Sequence, residues 1–179
     1  MSLRSVRVES GLMLLPILLA LLLGETFSFS VDYFAFGSNM NPALLERRTM
    51  STPGSLKFDR AVLRDYKLVF NTGSKSFGMA ASVEPSKGDS VHGLSYRINL
   101  VQLNLLLISE GYPVGYKLET VTVLPYNGRP TSNVLTLRSG RGLLSGKPSD
   151  RYLKLLQNGA ADHDLNADYQ QFLRSIESI

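Results

Sequence analysis

Three places in this 179-residue chain combine residue types and spacing that could do chemistry. The first is Tyr33-Phe34-Ala35-Phe36-Gly37-Ser38-Asn39-Met40. An apolar strand running into Gly-Ser-Asn ahead of a helix start points several backbone N–H groups one way. Such a nest suits a carboxylate, a phosphate or a developing oxyanion. Gly37 lets a ligand approach the backbone closely, and Ser38 and Asn39 add side-chain donors. The second place is Glu110, which follows Leu105-Leu106-Leu107-Ile108 and precedes Gly111. Apolar surroundings and the negative end of a helix dipole both disfavour an anion there, the kind of tuning a general base needs. The third is Tyr152, in the first turn of a helix behind Pro148-Ser149-Asp150, where its hydroxyl could anchor a ligand. Each has a plain alternative: an ordinary strand-to-helix turn, a solvated helix end, a buried tyrosine with a partnered hydroxyl.

Other chemistries have little to draw on. The chain has no cysteine, which removes disulfides, thiolate metal sites, Fe–S clusters and a cysteine nucleophile. Its two histidines are His92, in a strand, and His163, in a polar loop, too few for a histidine-rich metal cage. Ser38 has no base near it in sequence, and an unactivated hydroxyl is a poor nucleophile. The chain therefore offers no credible metal site. The net charge of +4 comes from 19 Lys+Arg against 15 Asp+Glu, and Arg47-Arg48 is the only adjacent basic pair. Nucleic-acid binding needs clustered cations to displace counterions, so no nucleic-acid partner is expected.

The elements that must position these residues follow from periodicity and punctuation. Val31–Phe36 reads as a short strand, and Asn41-Pro42 opens a helix, Asn as N-cap and Pro at the first helical position. Strands are expected at Arg60–Phe70, Gly78–Val83, Val91–Ile98, Tyr116–Leu124 and Val134–Leu137. Their separators are Asn71-Thr72-Gly73, Pro85-Ser86-Lys87-Gly88 and Asn127-Gly128. A leucine-rich helix over Leu100–Glu110 is stopped by Gly111 and Pro113. Ser149 caps a helix over Asp150–Gln157 that ends at Asn158-Gly159. A last helix over Asn166–Ser178 places Tyr169, Phe172, Leu173 and Ile176 on one face. The glycine-rich Ser139–Gly146 is the one loop expected to be mobile. Many short strands with few helices predict an α+β fold, a small, mostly antiparallel sheet or barrel with helices around it.

Residues 1–28 read as a separate segment, followed by one domain over residues 31–179. Arg4 and Arg7 precede the uncharged run Gly11–Leu23. As a helix these 13 residues would reach only ~20 Å, short of a ~30 Å hydrocarbon core. A signal peptide for the secretory pathway is expected, with a signal anchor or the start of a bipartite organelle leader as alternatives. A membrane is a partner only if this segment stays uncleaved, and a homodimer is left open.

At this point the motifs resemble a known family. Tyr33–Met40 (YFAFGSNM) is similar to the YFAYGSN signature of the gamma-glutamylcyclotransferases. The likeness continues through Asp65–Phe70, Gly88–Gly93, Ser109-Glu110-Gly111, Pro148–Tyr152 and the closing Tyr169–Ile176, in order, from about residue 31 to the C-terminus. The resemblance implies a small mixed β-barrel with surrounding helices. It also implies conversion of an L-γ-glutamyl-amino acid to 5-oxoproline and the free amino acid, without metal or cofactor. Carried over by position, Tyr33, Phe34, Ala35, Phe36, Gly37 and Ser38 would line the substrate site and Asn39 would complete the loop. Glu110 would accept the proton, and Tyr152 would touch substrate.

The chemistry the resemblance implies suits these residues, because the substrate's own α-amine attacks its γ-carbonyl and no protein nucleophile is needed. Three departures bear on substrate preference. Phe36 replaces the signature's second Tyr, Glu110 and Tyr116 are one residue closer than in the animal branch, and Val134 stands where that branch has an aromatic. The loop's FGSNM differs from the GYGSL-type loop of the glutathione-specific branch and the YGTL of γ-glutamylamine cyclotransferases. Those two activities remain alternatives, as does a cyclotransferase-like module that binds without turnover. A carboxylate at Glu110 favours catalysis over mere binding.

Overall fold

The computed structural model describes residues 29–74, 78–140 and 145–179. Five strands carry the domain: β1 (Ser30–Ala35), β2 (Phe58–Ser74), β3 (Gly78–Asn99), β4 (Tyr116–Pro125) and β5 (Thr131–Ser139). The helices are α1 (Pro42–Arg48), α2 (Leu100–Ser109), α3 (Asp150–Asp162) and α4 (Ala167–Ser175), with a 3-10 turn at Ser38–Met40 between β1 and α1.

The strands close into a barrel in the order β1-β3-β2-β4-β5. Four neighbouring pairs are antiparallel, and β1 meets β5 in parallel at Tyr33 and Leu135. The barrel is thus mixed and mostly antiparallel. Its core joins Phe34, Leu63, Val83, Val91, Leu94, Tyr96 and Ile98 from the strands to Leu45, Leu106, Leu156 and Leu173 from the helices.

Punctuation misled the sequence reading at three points. Gly78–Val83 and Val91–Ile98 are one 22-residue strand, and Pro85 pairs with Tyr66 instead of turning the chain. The break appears as a bulge between Arg64 and Tyr66, with Asp65 at φ 60° and its Oδ1 accepting the Gly88 N–H at 2.9 Å. Turn residues here bend a long hairpin, as bulges do. Asn71-Thr72-Gly73 likewise lies inside β2, at a second register shift.

Asn158-Gly159 does not end α3, which continues to Asp162. Gly159 serves packing: a Cβ there would lie 2.9 Å from the Met40 Cβ. The final helix stops at Ser175, because the tail pairs instead with the segment before α3, Ile179 N–H to Pro148 O at 3.0 Å. Tyr169 and Leu173 are buried as expected of an inward stripe, whereas Phe172 remains 43% exposed. Residues 1–28 and 141–144, on which the expected leader and part of the glycine-rich loop fall, lie outside the described residues.

Candidate active site

The site forms where β1 runs out. After Ala35 the chain passes through Gly37 into the 3-10 turn, closed by Met40 N–H to Gly37 O (2.9 Å) and Asn41 N–H to Ser38 O (3.1 Å). The Asn41 side chain then caps α1 by accepting the Leu44 N–H at 3.1 Å, with Pro42 at the helix start. Met40 and Asn41 thus spend their N–H groups within the turn. The nest is correspondingly smaller than the sequence suggests. Ser38 and Asn39 are nevertheless buried, and both help line a cleft.

That cleft is lined by Tyr33, Phe36, Gly37, Ser38 and Asn39 from the β1 end, Ala81 from β3, and Glu110 from the end of α2. Tyr116 and Leu137 come from β4 and β5, and Tyr152 from α3. Phe34 and Ala35, expected to line the site, do not. Both are wholly within the core, Phe34 with its ring over Gly93 and its carbonyl accepting the Thr136 hydroxyl at 2.9 Å. Their part is to fix the strand from which the loop departs.

Glu110 caps the C-terminal end of α2, its N–H bonded to Leu106 O at 3.0 Å. It is not the lone anion at an apolar helix end that the sequence suggests. Its Oε1 accepts from Asn39 Nδ2 at 2.9 Å and from Arg48 Nη1 at 2.6 Å. Asn39 Nδ2 also donates to the Tyr33 hydroxyl at 3.0 Å, while Asn39 Oδ1 accepts from Arg48 Nη1 at 2.5 Å. The same Nη1 reaches Ser38 Oγ at 3.2 Å. Glu110 and Arg48 are 15% and 18% exposed at their side chains, so this ion pair is far less screened than a surface one.

Three phenols surround the pair. Burial pushes the Tyr33 phenol far above its ordinary value, with the nearby Glu110 carboxylate adding to the effect. Burial, then the neighbouring Tyr152 and Glu110, raises Tyr116 similarly. Tyr152 is pushed up to about 12 by burial, against the lowering pull of the Ala81 backbone N–H. All three are neutral hydroxyls throughout the physiological range. The Ala81 peptide joins two of them: its N–H donates to the Tyr152 hydroxyl at 3.1 Å, and its carbonyl accepts from Tyr116 at 2.9 Å.

Arg48, Tyr116 and Ala81 were missed by reading the sequence. Arg48 registered only as half of a basic pair. Its spacing three residues after the buried Leu45 placed it on the inward face of α1, and that signal could have found it. The histidines lie elsewhere: His92 Nδ1 is 2.5 Å from the Tyr126 hydroxyl, and His163 packs edge-on against Phe58. Among the described residues no group of three His, Asp or Glu converges as a metal site would require.

The arrangement combines an oriented carboxylate, a cation, neutral hydroxyls and a glycine loop in one cleft. It can take a proton and steady developing charge without a nucleophile of its own. Residues 33–142 match the family model described as gamma-glutamyl cyclotransferase, AIG2-like. Over 153 residues the chain is 34% identical to gamma-glutamylcyclotransferase of Homo sapiens, covering 81% of this chain and 78% of that protein. It is 34% identical to the Bos taurus protein of the same name over 162 residues, covering 86% and 80% respectively. A solved structure named gamma-glutamyl cyclotransferase superposes with a TM-score of 0.77 at 29% identity, covering 84% of this chain and 90% of that one.

Proposed function

The chain belongs to the gamma-glutamylcyclotransferase family, enzymes that release 5-oxoproline from γ-glutamyl amino acids, and on that premise we propose how its cleft performs the reaction. The observation that carries the reading is the Glu110 carboxylate held against the Tyr33–Asn39 loop through Asn39. Substrate lies along that loop with its glutamyl chain folded, so that the α-nitrogen meets the γ-carbonyl carbon in a near-attack geometry. An ammonium has no lone pair, so Glu110 first removes a proton from it. The new C–N bond closes the five-membered ring, and negative charge gathers on the former carbonyl oxygen. Polar groups of the loop and the neutral phenols stabilise that oxygen. Breaking the original γ-amide bond expels the amine of the second amino acid, to which Glu110 returns the proton. The attacking nitrogen gives up its second proton by way of the same carboxylate to that amine, which leaves as an ammonium, so the ring keeps one N–H. Atoms and charge then balance with no co-reactant.

In this reading Tyr33, Phe36, Gly37, Ser38, Asn39 and Tyr152 form the substrate surface. Gly37 matters most for approach, because a Cβ there would lie 3.1 Å from the Tyr152 hydroxyl. Phe36 and Leu137 give the cleft an apolar wall. The test is 5-oxoproline release by the purified protein from a panel of γ-glutamyl dipeptides, glutathione and γ-glutamyl-lysine. Turnover of γ-glutamyl dipeptides is expected, and it should survive EDTA. No 5-oxoproline from any substrate would leave a binding module, and loss to EDTA with recovery on Zn²⁺ or Mn²⁺ would overturn the mechanism. Residues 1–28 form, in the same proposal, a leader into the secretory pathway, supported by the Arg4/Arg7 start and the short apolar run. N-terminal sequencing of the protein from its native compartment tests this: a start near residue 29 supports it, and an intact Met1 contradicts it.

A further inference from the structure

Arg48 ends α1, and its Nη1 meets three acceptors at once: Glu110 Oε1 at 2.6 Å, Asn39 Oδ1 at 2.5 Å and Ser38 Oγ at 3.2 Å. Asn39 Nδ2 donates to the same carboxylate oxygen at 2.9 Å. Oε1 therefore holds two donors, whereas among the described residues no donor is bonded to Oε2. A carboxylate clamped at one oxygen has a fixed plane and one working atom. The clamp also ties the base on α2 to the loop that receives substrate, although the two are far apart in sequence.

We propose that Arg48 is the positioning residue of the proton acceptor, clamping Oε1 so that Oε2 takes the substrate's ammonium proton. This rests on Glu110 being that acceptor. The guanidinium's charge holds the carboxylate in place through the ion pair and disfavours an ammonium beside it, which helps the substrate nitrogen give up its proton. Its planar shape matters as well. A lysine ammonium on a flexible stem supplies the charge but not the fixed geometry. The charged and titratable groups facing Glu110 are Arg48 from α1, Tyr33 from β1, Tyr116 from β4 and Tyr152 from α3. Burial keeps the three phenols protonated well above neutrality, so they stand as neutral hydroxyls beside the ion pair.

The experiment follows 5-oxoproline release from one γ-glutamyl dipeptide near neutral pH, using the full chain. It compares wild type, Arg48→Met, Arg48→Lys, Arg47→Met, Glu110→Gln and the double variant Arg48→Met/Glu110→Gln. Arg48→Met should lower kcat near neutral pH at least about tenfold with KM within about threefold, a loss at the chemical step. Arg48→Lys should restore only part of kcat, and it carries the test if Arg48→Met melts below the assay temperature. Arg47→Met, on the exposed face of α1, should match wild type. Adding Arg48→Met to Glu110→Gln should cost less than about threefold more, because the two act through one group. An unchanged kcat in Arg48→Met, or losses that multiply in the double variant, would overturn the proposal while leaving Glu110 in place. Wild-type turnover by Glu110→Gln would instead overturn the reading beneath it.

Discussion

At position 37 an added side chain has nowhere to go but toward the Tyr152 hydroxyl. Gly37 has φ −112°, which any residue tolerates, so the obstacle is space and not backbone strain. A Cβ would sit 3.1 Å from an oxygen that is itself fixed by the Ala81 N–H. Gly37→Ala should raise KM for a γ-glutamyl dipeptide about tenfold while costing about 1 kcal/mol in stability, and Gly37→Val should do worse on both counts. Substrate titration beside a thermal melt checks this; a variant that melts early yet binds normally would contradict it. Phe36→Tyr should raise turnover or widen the substrate range if the family hydroxyl at this place contacts substrate, and unchanged kinetics on the dipeptide panel would assign it no role. At this scale the sequence was informative where function rests on local residue types. The loop and Glu110 were visible; helical spacing from Leu45 turns Arg48 inward, but its pairing with Glu110 was not visible, because that partner lies 62 residues away.

Among the elements, α3 and the 3-10 turn depend on one close approach. Gly159 lies mid-helix, where glycine costs about 1 kcal/mol relative to alanine, and it is tolerated because Met40 occupies the space. Gly159→Ala should therefore lose more in packing than it gains in propensity, a net destabilisation of about 1–2 kcal/mol. Activity should fall with it, since Met40 directly follows Asn39. Denaturant unfolding and turnover measured together decide the point, and a stabilised, fully active variant would contradict it. Gly93 is tighter still, with a Cβ placed 2.2 Å from the Ala35 carbonyl of the neighbouring strand. Existence and type of element were mostly legible, because alternation and capping are local. Continuity was not. Pro85 and Gly88 carry turn chemistry, and only pairing with β2 across a bulge decides that they bend a strand without ending it. Asn158-Gly159 reads as a helix stop for the same reason, and tertiary packing overrides it.

For the whole molecule, burial of phenols sets the alkaline limit of the fold. Tyr33, Tyr96, Tyr116, Tyr152 and Tyr169 are all raised above their ordinary value, chiefly by burial. A raised native value means that the native state holds protons the unfolded chain has released. The contribution is intact below about pH 10 and is lost as pH climbs toward the native values, about 12 for Tyr152. Phenolate absorbance from these five tyrosines should therefore appear together with loss of tertiary structure in one cooperative step above pH 10. Smooth titration of all of them near pH 10 with the fold intact would contradict the burial described. The fold class was readable from many short strands and few helices, and the resemblance implied the mixed barrel that the structure has; the parallel β1–β5 contact that closes it was not legible, since nothing local encodes it. The account as a whole stands on Glu110 as the proton acceptor, and the most direct measurement is substrate binding and 5-oxoproline release by Glu110→Gln. The amide keeps an oxygen for Arg48 and Asn39 but cannot take the proton. Binding should stay within about tenfold of wild type while turnover falls on the order of 10²–10⁴. Glu119→Gln, a carboxylate bonded to Tyr66 and Arg138 outside the cleft, should leave turnover unchanged. Near-wild-type release of 5-oxoproline by Glu110→Gln would contradict the mechanism.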